Sequence, residues 1–229
     1  MMKIDILVLQ TFGRLAGISS FLDVLGRALP KSEWSDNEAL KQKAEHENWE
    51  YSDFDVERQV LDERFRFWLP RFTAYSVMTL LYTVLETQLA ACAKRAWATK
   101  EASFRLTDLR GRGIDAAALY IANVGVYELR SDLDWSKMCD LRDLRNLIVH
   151  RAGTKGHSDE HRKTAQRLSH AYTGKVIFPD SDWSWYGEVW ISLPLCRDFI
   201  CSIEAVFDRV FDALELPPRY ERRKAKETG

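Results

Sequence analysis

The strongest constraint on the fold is the segment 71–100, in which large apolar side chains recur every three or four positions. This period matches the 3.6-residue turn of an α-helix. The members of the apolar stripe are Phe72, Tyr75, Met78, Tyr82, Leu85 and Leu89. The pattern predicts one long, buried helix.

The same segment is apolar enough to raise the question of a membrane span. It also carries a polar stripe at steps of three and four, however, and a lipid-embedded helix rarely accepts such a stripe. The stripe consists of Ser76, Thr79, Thr83 and Glu86. We therefore expect a soluble protein without a membrane partner. The N-terminal residues lack the basic and apolar regions of a secretory signal, which favours a cytoplasmic location.

Strand-like runs are confined to residues 175–178 and 187–193, on either side of a turn-rich segment. With 46% hydrophobic and 29% charged residues, the 229-residue chain has the composition of a globular protein and not of a disordered one. The expected fold class is mainly α, a helical bundle with a small β-hairpin near the C-terminus. We divide the chain into an N-terminal helical extension with an acidic segment (1–70), a helical domain (71–216) and a basic tail (217–229).

Prolines, glycines and capping residues predict where the other helices begin and end. Pro30 should stop the first helix and Pro70 the second, and Asp115 should cap a short helix with its own side chain. The expected helices are 4–29, 53–69, 115–125, 132–151, 159–172 and 194–214.

Charge is distributed unevenly along a chain whose formal net charge is only −1. Residues 31–63 contain four basic and eleven acidic side chains, which indicates a solvated helix pair or a docking surface for a basic partner. Residues 94–112 contain six basic and two acidic side chains. The basic tail either holds RNA backbone or is a solvated terminus, and the hairpin aromatics (Trp183, Trp185, Tyr186 and Trp190) either stack on bases or pack on the helices beneath.

Neither the cysteines nor the histidines show metal-ligand spacing. The cysteines lie in apolar helical runs and are expected to be reduced, buried thiols, because no CxxC pair occurs. They are Cys92, Cys139, Cys196 and Cys201. His157 and His161 could share a metal on one helical turn, but no third ligand is evident. We expect no metal and no cofactor.

The segment 141–151 carries the residues most suited to chemistry. On a helix it places Leu141, Leu144, Leu147 and Ile148 on one side and Arg142, Asn146 and His150 on the other, with the side chain of Arg145 able to swing toward them. Imidazole can accept the proton of an RNA 2′-hydroxyl or donate one to the leaving oxygen. A guanidinium can bind phosphate oxygens as negative charge develops. Phosphodiester cleavage without a metal therefore fits these groups.

The order of elements around this segment resembles the HEPN superfamily (higher eukaryotes and prokaryotes nucleotide-binding domain). A long apolar helix, a short helix, the segment 141–153, a hairpin and an apolar C-terminal helix follow one another over residues 71–216. The core motif of that superfamily is R-x4-6-H with a polar residue after the arginine, which here is Arg145, Asn146 and His150.

This resemblance implies a metal-independent endoribonuclease that acts as a homodimer in a toxin–antitoxin, phage-defence or stress setting. The arginine and histidine of both copies would share one cleft, and cleavage would leave a 2′,3′-cyclic phosphate. Glu86 matches an acidic residue that some relatives use on the preceding long helix. RNA, a second copy of the chain and an antitoxin or regulatory protein are the implied partners. Other relatives are catalytically inactive binding or partner proteins, which is the alternative.

Each motif residue also has a structural interpretation. His150 could interact with the C-terminal end of the helix dipole, Asn146 could form hydrogen bonds within a dimer interface, and Arg142 could pair with Asp143 or Glu86. For the dimer we expect an interface that includes residues 133–151, with residues 94–112 flanking a shared basic groove.

Overall fold

In a computed structural model of the protein, the described residues are 5–154, 158–178 and 188–217. Helices make up most of them, and the strands within these ranges form a single antiparallel pair. The expectation of a mainly α fold with one small hairpin near the C-terminus is confirmed.

The first helix, α1, spans Ile6–Glu47 and extends well beyond its expected end. Asp5 caps it by accepting a hydrogen bond from the amide of Leu7 at 2.8 Å, and Asn48 ends it in the left-handed conformation. The prediction that Pro30 stops the helix is wrong, because Pro30 lies inside α1. A proline removes one amide donor, and the residues that follow it are rich in lysine and glutamate, which favour helix.

The second and third helices form one uninterrupted rod of 50 residues. Helix α2 spans Tyr51–Glu63, a π-helical turn spans Arg64–Trp68, and α3 spans Leu69–Lys100. The predicted helix end at Pro70 is therefore wrong. An interior proline clashes with the carbonyl four residues earlier, which here lies in the wider π turn.

The rod contains an 18-residue window long and apolar enough to cross a membrane, but 56% of that window is buried within the protein. The hydroxyls of Thr79 and Thr83 donate to carbonyls one turn earlier on the same helix. The burial is that of a core helix in a folded domain, which agrees with the expectation of a soluble protein.

Helix α3 is the centre of the fold and contacts α1 and three later helices. These are α4 (Gly113–Asn123), α5 (Trp135–Arg151) and α7 (Leu193–Ala213). The first half of α1 contributes Val8, Leu15, Ile18 and Leu22 to the same buried cluster as the middle of α3. This part of the N-terminal segment and the later helices therefore share one hydrophobic core, while the division at residue 70 stays a prediction.

Ion pairs form near the beginnings of α4 and α5. Asp115 does not cap α4, because the helix begins two residues earlier, at Gly113; its carboxylate accepts a hydrogen bond from Arg142 at 2.5 Å. The predicted local cap is thus replaced by a charge-assisted contact between two helices. Helix α5 begins at Trp135, three residues after Asp132, whose carboxylate accepts a hydrogen bond from the Asp134 amide at 2.8 Å and two from Arg209 at 2.6 and 2.7 Å.

The C-terminal half adds α6 and the hairpin strands. Helix α6 spans Asp159–Ala171, β1 spans Val176–Ile177 and β2 spans Trp190–Ile191. Val176 pairs with Ile191 in the antiparallel register. Three of the hairpin aromatics (Trp183, Trp185 and Tyr186) and the basic tail from residue 219 lie outside the described residues.

The four cysteines are free, but their environments differ. Cys92 and Cys196 are buried, and burial raises the pKa of the Cys196 thiol to about 12. Cys139 is half-buried, and burial raises its pKa as well. Cys201 is exposed, so the prediction of buried thiols is wrong at this position, where α7 turns a side chain to solvent.

Candidate functional site

Helix α5 presents two different faces. Leu141, Leu144 and Leu147 are buried in the core, whereas Asn146 and His150 are exposed. Because the three leucines pack into the core, they fix the position of the helix backbone that carries the polar side chains on its opposite face. The division into a packing face and a polar face is the one that the helical placement predicts.

The guanidinium of Arg145 brings the three motif residues together. Its Nη1 donates to Oδ1 of Asn146 at 3.1 Å and lies 3.3 Å from Nε2 of His150. Arginine can only donate, so His150 accepts at Nε2, which requires the neutral imidazole in this contact. The imidazole is exposed, and its one lone pair, at Nε2, faces a permanent cation at the surface.

Tyr82 of α3 supports this cluster from below. The Arg145 guanidinium carbon lies 5.4 Å from the centroid of the Tyr82 ring, which is the geometry of a cation–π contact. Nε of Arg145 is buried and has no hydrogen-bond partner among the described residues. The ring fixes the plane of the guanidinium, while the Nη side faces Asn146 and His150.

Glu86 lies near the Tyr82 hydroxyl, next to the beginning of α4. A β-carbon added to Gly113 would approach both the Glu86 carboxylate and the Tyr82 hydroxyl to 3.2 Å. Burial raises the pKa of Tyr82, the charge of Glu86 raises it further, and the guanidinium groups of Arg142 and Arg145 oppose the rise. In the described part of the chain Glu86 has no ion-pair partner, and its carboxylate lies near the positive end of the α4 dipole.

Arg142 forms ion pairs with two carboxylates and no hydrogen bond with the Arg145 cluster. Its Nη1 donates to Asp115 at 2.5 Å and its Nε donates to Asp143 at 3.1 Å. The predicted pairing with Asp143 is therefore confirmed, whereas the contact with Asp115 was not foreseen. Asp143 also accepts a hydrogen bond from Arg167 at 2.7 Å, which ties α5 to α6.

The backbone just after the motif is locked against α3. Gly153 has a φ of +80°, and its carbonyl accepts a hydrogen bond from the Val189 amide at 2.7 Å. The Tyr75 hydroxyl donates to the Val189 carbonyl at 2.7 Å and packs directly under Gly153. Arg71, which is 1% exposed, forms an ion pair with Glu188 at 2.6 Å. This lock holds Gly153, which lies three residues beyond His150 and two beyond the last residue of α5.

His161 has contacts with side chains at both ring nitrogens. Arg151 lies 2.5 Å from its Nε2, and the Ser158 hydroxyl contacts its Nδ1. His157, the other member of the histidine pair considered above, lies outside the described residues. Across residues 5–154, 158–178 and 188–217, no group of three or more potential metal-ligating side chains occurs.

Comparison with protein families, with curated proteins and with solved structures found no match to this chain. The site is therefore interpreted from its own geometry. The structure brings together Arg145, Asn146 and His150. It places Glu86 beside Tyr82 and holds Arg142 in a separate ion-pair network.

Sequence reasoning missed Tyr82 and Gly153. Tyr82 was interpreted only as a member of the apolar stripe of α3, although a tyrosine on that face one turn before Glu86 could have been considered as a platform for an arginine. Gly153 follows the expected end of the helix at residue 151, and nothing in the local sequence indicates a packing role for it. The packing of Tyr75 beneath it depends on a contact between distant parts of the chain, which no local pattern contains.

Proposed function

We propose that this protein is a metal-independent endoribonuclease of HEPN type. The observation that carries the proposal is the position of a single guanidinium nitrogen, Nη1 of Arg145, between Asn146 Oδ1 and His150 Nε2 at 3.1 and 3.3 Å. The cluster is open to solvent at His150, so a phosphodiester can approach it.

The reaction would be an in-line attack within the RNA strand. When Arg145 turns from His150 to the phosphate, the Nε2 lone pair of His150 is released and takes the proton from a 2′-hydroxyl as the 2′-oxygen forms a bond to the adjacent phosphorus. The bond from phosphorus to the 5′-oxygen breaks, and that oxygen receives a proton from a general acid. The products are a 2′,3′-cyclic phosphate and a free 5′-hydroxyl. Arg145 binds the non-bridging oxygens as their charge increases, and Asn146 orients the phosphate.

A second copy of the chain would supply the acid. One copy offers one motif imidazole, whereas two copies related by a two-fold axis offer a base, an acid and two guanidinium groups in one cleft. Val149 supports an interface on this helix, because it is 48% exposed beside His150 on the otherwise polar face. We therefore propose a homodimer whose interface includes residues 133–151.

Glu86 and Arg142 have supporting roles in this proposal. In the described part of the chain Glu86 forms no ion pair with Arg145, and it contributes through the charge around Tyr82 and the start of α4. Arg142 orients α5 through Asp115 and Asp143. Cytoplasmic location, an antitoxin or regulatory partner, and a role in toxin–antitoxin, phage-defence or stress systems belong to the same proposal through the HEPN resemblance.

The test is cleavage of single-stranded RNA by purified protein in EDTA. We expect wild-type cleavage with cyclic-phosphate ends and loss of cleavage in His150→Ala and Arg145→Ala, with unchanged thermal unfolding. His170→Ala is the matched control, since His170 is an exposed histidine on α6. Activity that survives both motif substitutions, or that requires a divalent cation, would refute the proposal. An inactive wild-type protein that binds a partner chain would support the alternative of a catalytically silent binding protein.

The dimer is tested separately by sedimentation at micromolar concentrations. Val149→Asp should give monomers and remove cleavage. Ile177→Asp, at a site of nearly equal exposure (47%), should leave the dimer intact. A wild-type monomer that cleaves RNA would refute the composite site but not the nuclease assignment.

A further inference from the structure

A cleft of about 420 Å³ lies where the end of α3 meets the segment leading to α4. Its apolar wall includes Ala90, Ala93 and Leu106, together with the indole of Trp97. Lys94 and Arg105 stand at its edge, and both are exposed. The volume falls within the range of about 300–1,000 Å³ that is common for small-molecule sites. We call this cleft the Trp97 pocket.

The Trp97 pocket lies on the same side of α3 as Tyr82 and Glu86. At about 100° per residue, Tyr82, Glu86, Ala90 and Trp97 fall within roughly 80° of one another around the helix. At about 1.5 Å per residue, Ala90 is ~6 Å and Trp97 ~16 Å from Glu86 along the helix axis. The connection from α3 runs back to Gly113, which contacts Glu86 and Tyr82. The pocket and the Arg145 cluster are thus joined by one helix face.

Most basic side chains of the segment 94–112 form no ion pair with a carboxylate of the described residues. Within the described residues, Arg95 is the one basic residue of the segment 94–112 that forms an ion pair, with Asp5. The others are Lys94, Lys100, Arg105, Arg110 and Arg112. Arginines elsewhere in the fold, such as Arg142 and Arg209, are paired with two carboxylates each. A series of unpaired cations is the charge pattern that a polyanion requires.

Trp97 is also placed for stacking. The Arg105 guanidinium lies 5.1 Å from the centroid of its indole ring, so a cation and an aromatic plane already form one surface. Single-stranded nucleic acid binds to this combination, with the base on the aromatic ring and the phosphate on the cation. Since Arg105 covers one face of the indole, a flat base would stack on the opposite face or on the guanidinium plane, with the N–H edges of Arg105 and the ammonium of Lys94 left for the flanking phosphates.

We propose that the Trp97 pocket binds an unpaired base of the RNA substrate, outside the cleaved step, with Lys94 and Arg105 on the neighbouring phosphates. This inference rests on the proposed ribonuclease function and extends it to substrate recognition. It makes single-stranded RNA the preferred substrate, because a base in a duplex cannot enter the pocket.

Binding is measured apart from cleavage by using a fluorescein-labelled 2′-O-methyl RNA of twelve nucleotides, which has no nucleophilic hydroxyl, in EDTA. By fluorescence anisotropy, Trp97→Ala should weaken binding about 5- to 150-fold, since stacking of one base contributes about 1–3 kcal/mol. Trp97→Phe should retain most of the affinity. Trp34→Ala is the control, because Trp34 is 69% exposed on α1, away from the pocket. The double variant Lys94→Gln/Arg105→Gln should reduce the slope of log K against log salt by about 1.4, or ~0.7 for each lost phosphate contact.

Cleavage of a dinucleotide, which cannot reach from the Arg145 cluster to the pocket, separates the two proposals. Trp97→Ala should lower kcat/KM for the long RNA about as much as it lowers affinity and leave dinucleotide cleavage unchanged. If the wild-type protein cleaves RNA but the pocket variants bind and cleave normally, the pocket inference is overturned and the nuclease stands. If the wild-type protein cleaves nothing but Trp97→Ala weakens binding, the pocket stands and the nuclease falls. Trp97-dependent binding of anionic phospholipid vesicles without RNA binding would overturn the inference in favour of a lipid ligand.

Discussion

Replacing Gly153 by alanine tests whether the contacts among Gly153, Tyr75 and Val189, just after α5, stabilise the fold. The added β-carbon would lie 2.1 Å from the Tyr75 hydroxyl oxygen and 2.8 Å from the ring carbon that bears it. Neither distance is tolerable, so Tyr75 has to move. Its hydrogen bond to the Val189 carbonyl, 2.7 Å in the native protein, would be lost.

Two costs combine in this variant. A non-glycine residue at a φ of +80° costs about 1–2 kcal/mol, because its β-carbon crowds the backbone. The lost hydrogen bond leaves the buried carbonyl of Val189 unsatisfied, which adds about 1–3 kcal/mol. We therefore expect Gly153→Ala to lower the free energy of unfolding by about 2–5 kcal/mol. For a chain of this length, that corresponds to a fall in Tm of about 4–20 °C.

Gly174→Ala is the matched control for thermal unfolding. Gly174 has a φ of +73°, close to that of Gly153, but an added β-carbon would meet nothing within 4 Å. The control should therefore show the backbone cost alone, about 1–2 kcal/mol. In a Tyr75→Phe background, which removes the closest atom, Gly153→Ala should cost less than in the wild type. Equal losses for Gly153→Ala and Gly174→Ala would refute the steric explanation.

Three further measurements test the acid stability of the fold, the reactivity of its thiols and the role of the Tyr82 ring beneath Arg145. Burial alone would raise the pKa of Asp132, but hydrogen bonds led by those from Arg209 outweigh it and hold the pKa below its ordinary value. The unfolded state thus binds the proton more readily, so the free energy of unfolding should fall as pH drops below about 4, and Arg209→Gln should flatten this dependence in acid titrations monitored by circular dichroism. Among the four cysteines, Cys201 should react with a maleimide first and its serine variant should lose the fast phase, whereas equal rates at all four would contradict the burial pattern. Tyr82→Leu should lower RNA cleavage about 2- to 30-fold, as expected for a lost cation–π contact of about 0.5–2 kcal/mol, while Tyr82→Phe should retain activity and a loss in both would argue against the ring as the support of Arg145.

The positions where sequence prediction of the fold failed have a common physical cause. Helical periodicity identified α3 and α5 because it reports which face of a helix is buried. Local stop and cap signals were less reliable. Pro30 and Pro70 lie inside continuous helix, and Asp115 binds Arg142 and does not cap α4. A local signal is worth about 1–3 kcal/mol, and tertiary contacts of similar size can override it.

In the candidate site, too, local spacing was predictable from the sequence and tertiary contacts were not. The spacing of Arg145, Asn146 and His150 follows from the helix itself, so the sequence was sufficient to bring these three together. What supports them comes from other parts of the chain. Tyr82 lies 63 positions before Arg145, and no period or motif within α5 contains the contact. Pairing of Arg142 with Asp115 likewise spans 27 positions.

The two arginines on this stretch of α5 are only three residues apart, yet the structure gives them opposite electrostatic roles. Arg142 faces two carboxylates, Asp115 and Asp143, so most of its charge is neutralised within the fold. In the described part of the chain Arg145 has no carboxylate partner and contacts a neutral ring, a carboxamide and an imidazole. An incoming phosphate can therefore pair with Arg145 without displacing an internal anion, whereas at Arg142 it would have to compete with two. Because the favourable energy of a guanidinium–phosphate contact is retained only where no existing pair is broken, we expect Arg145, and not Arg142, to be the group that binds an anion.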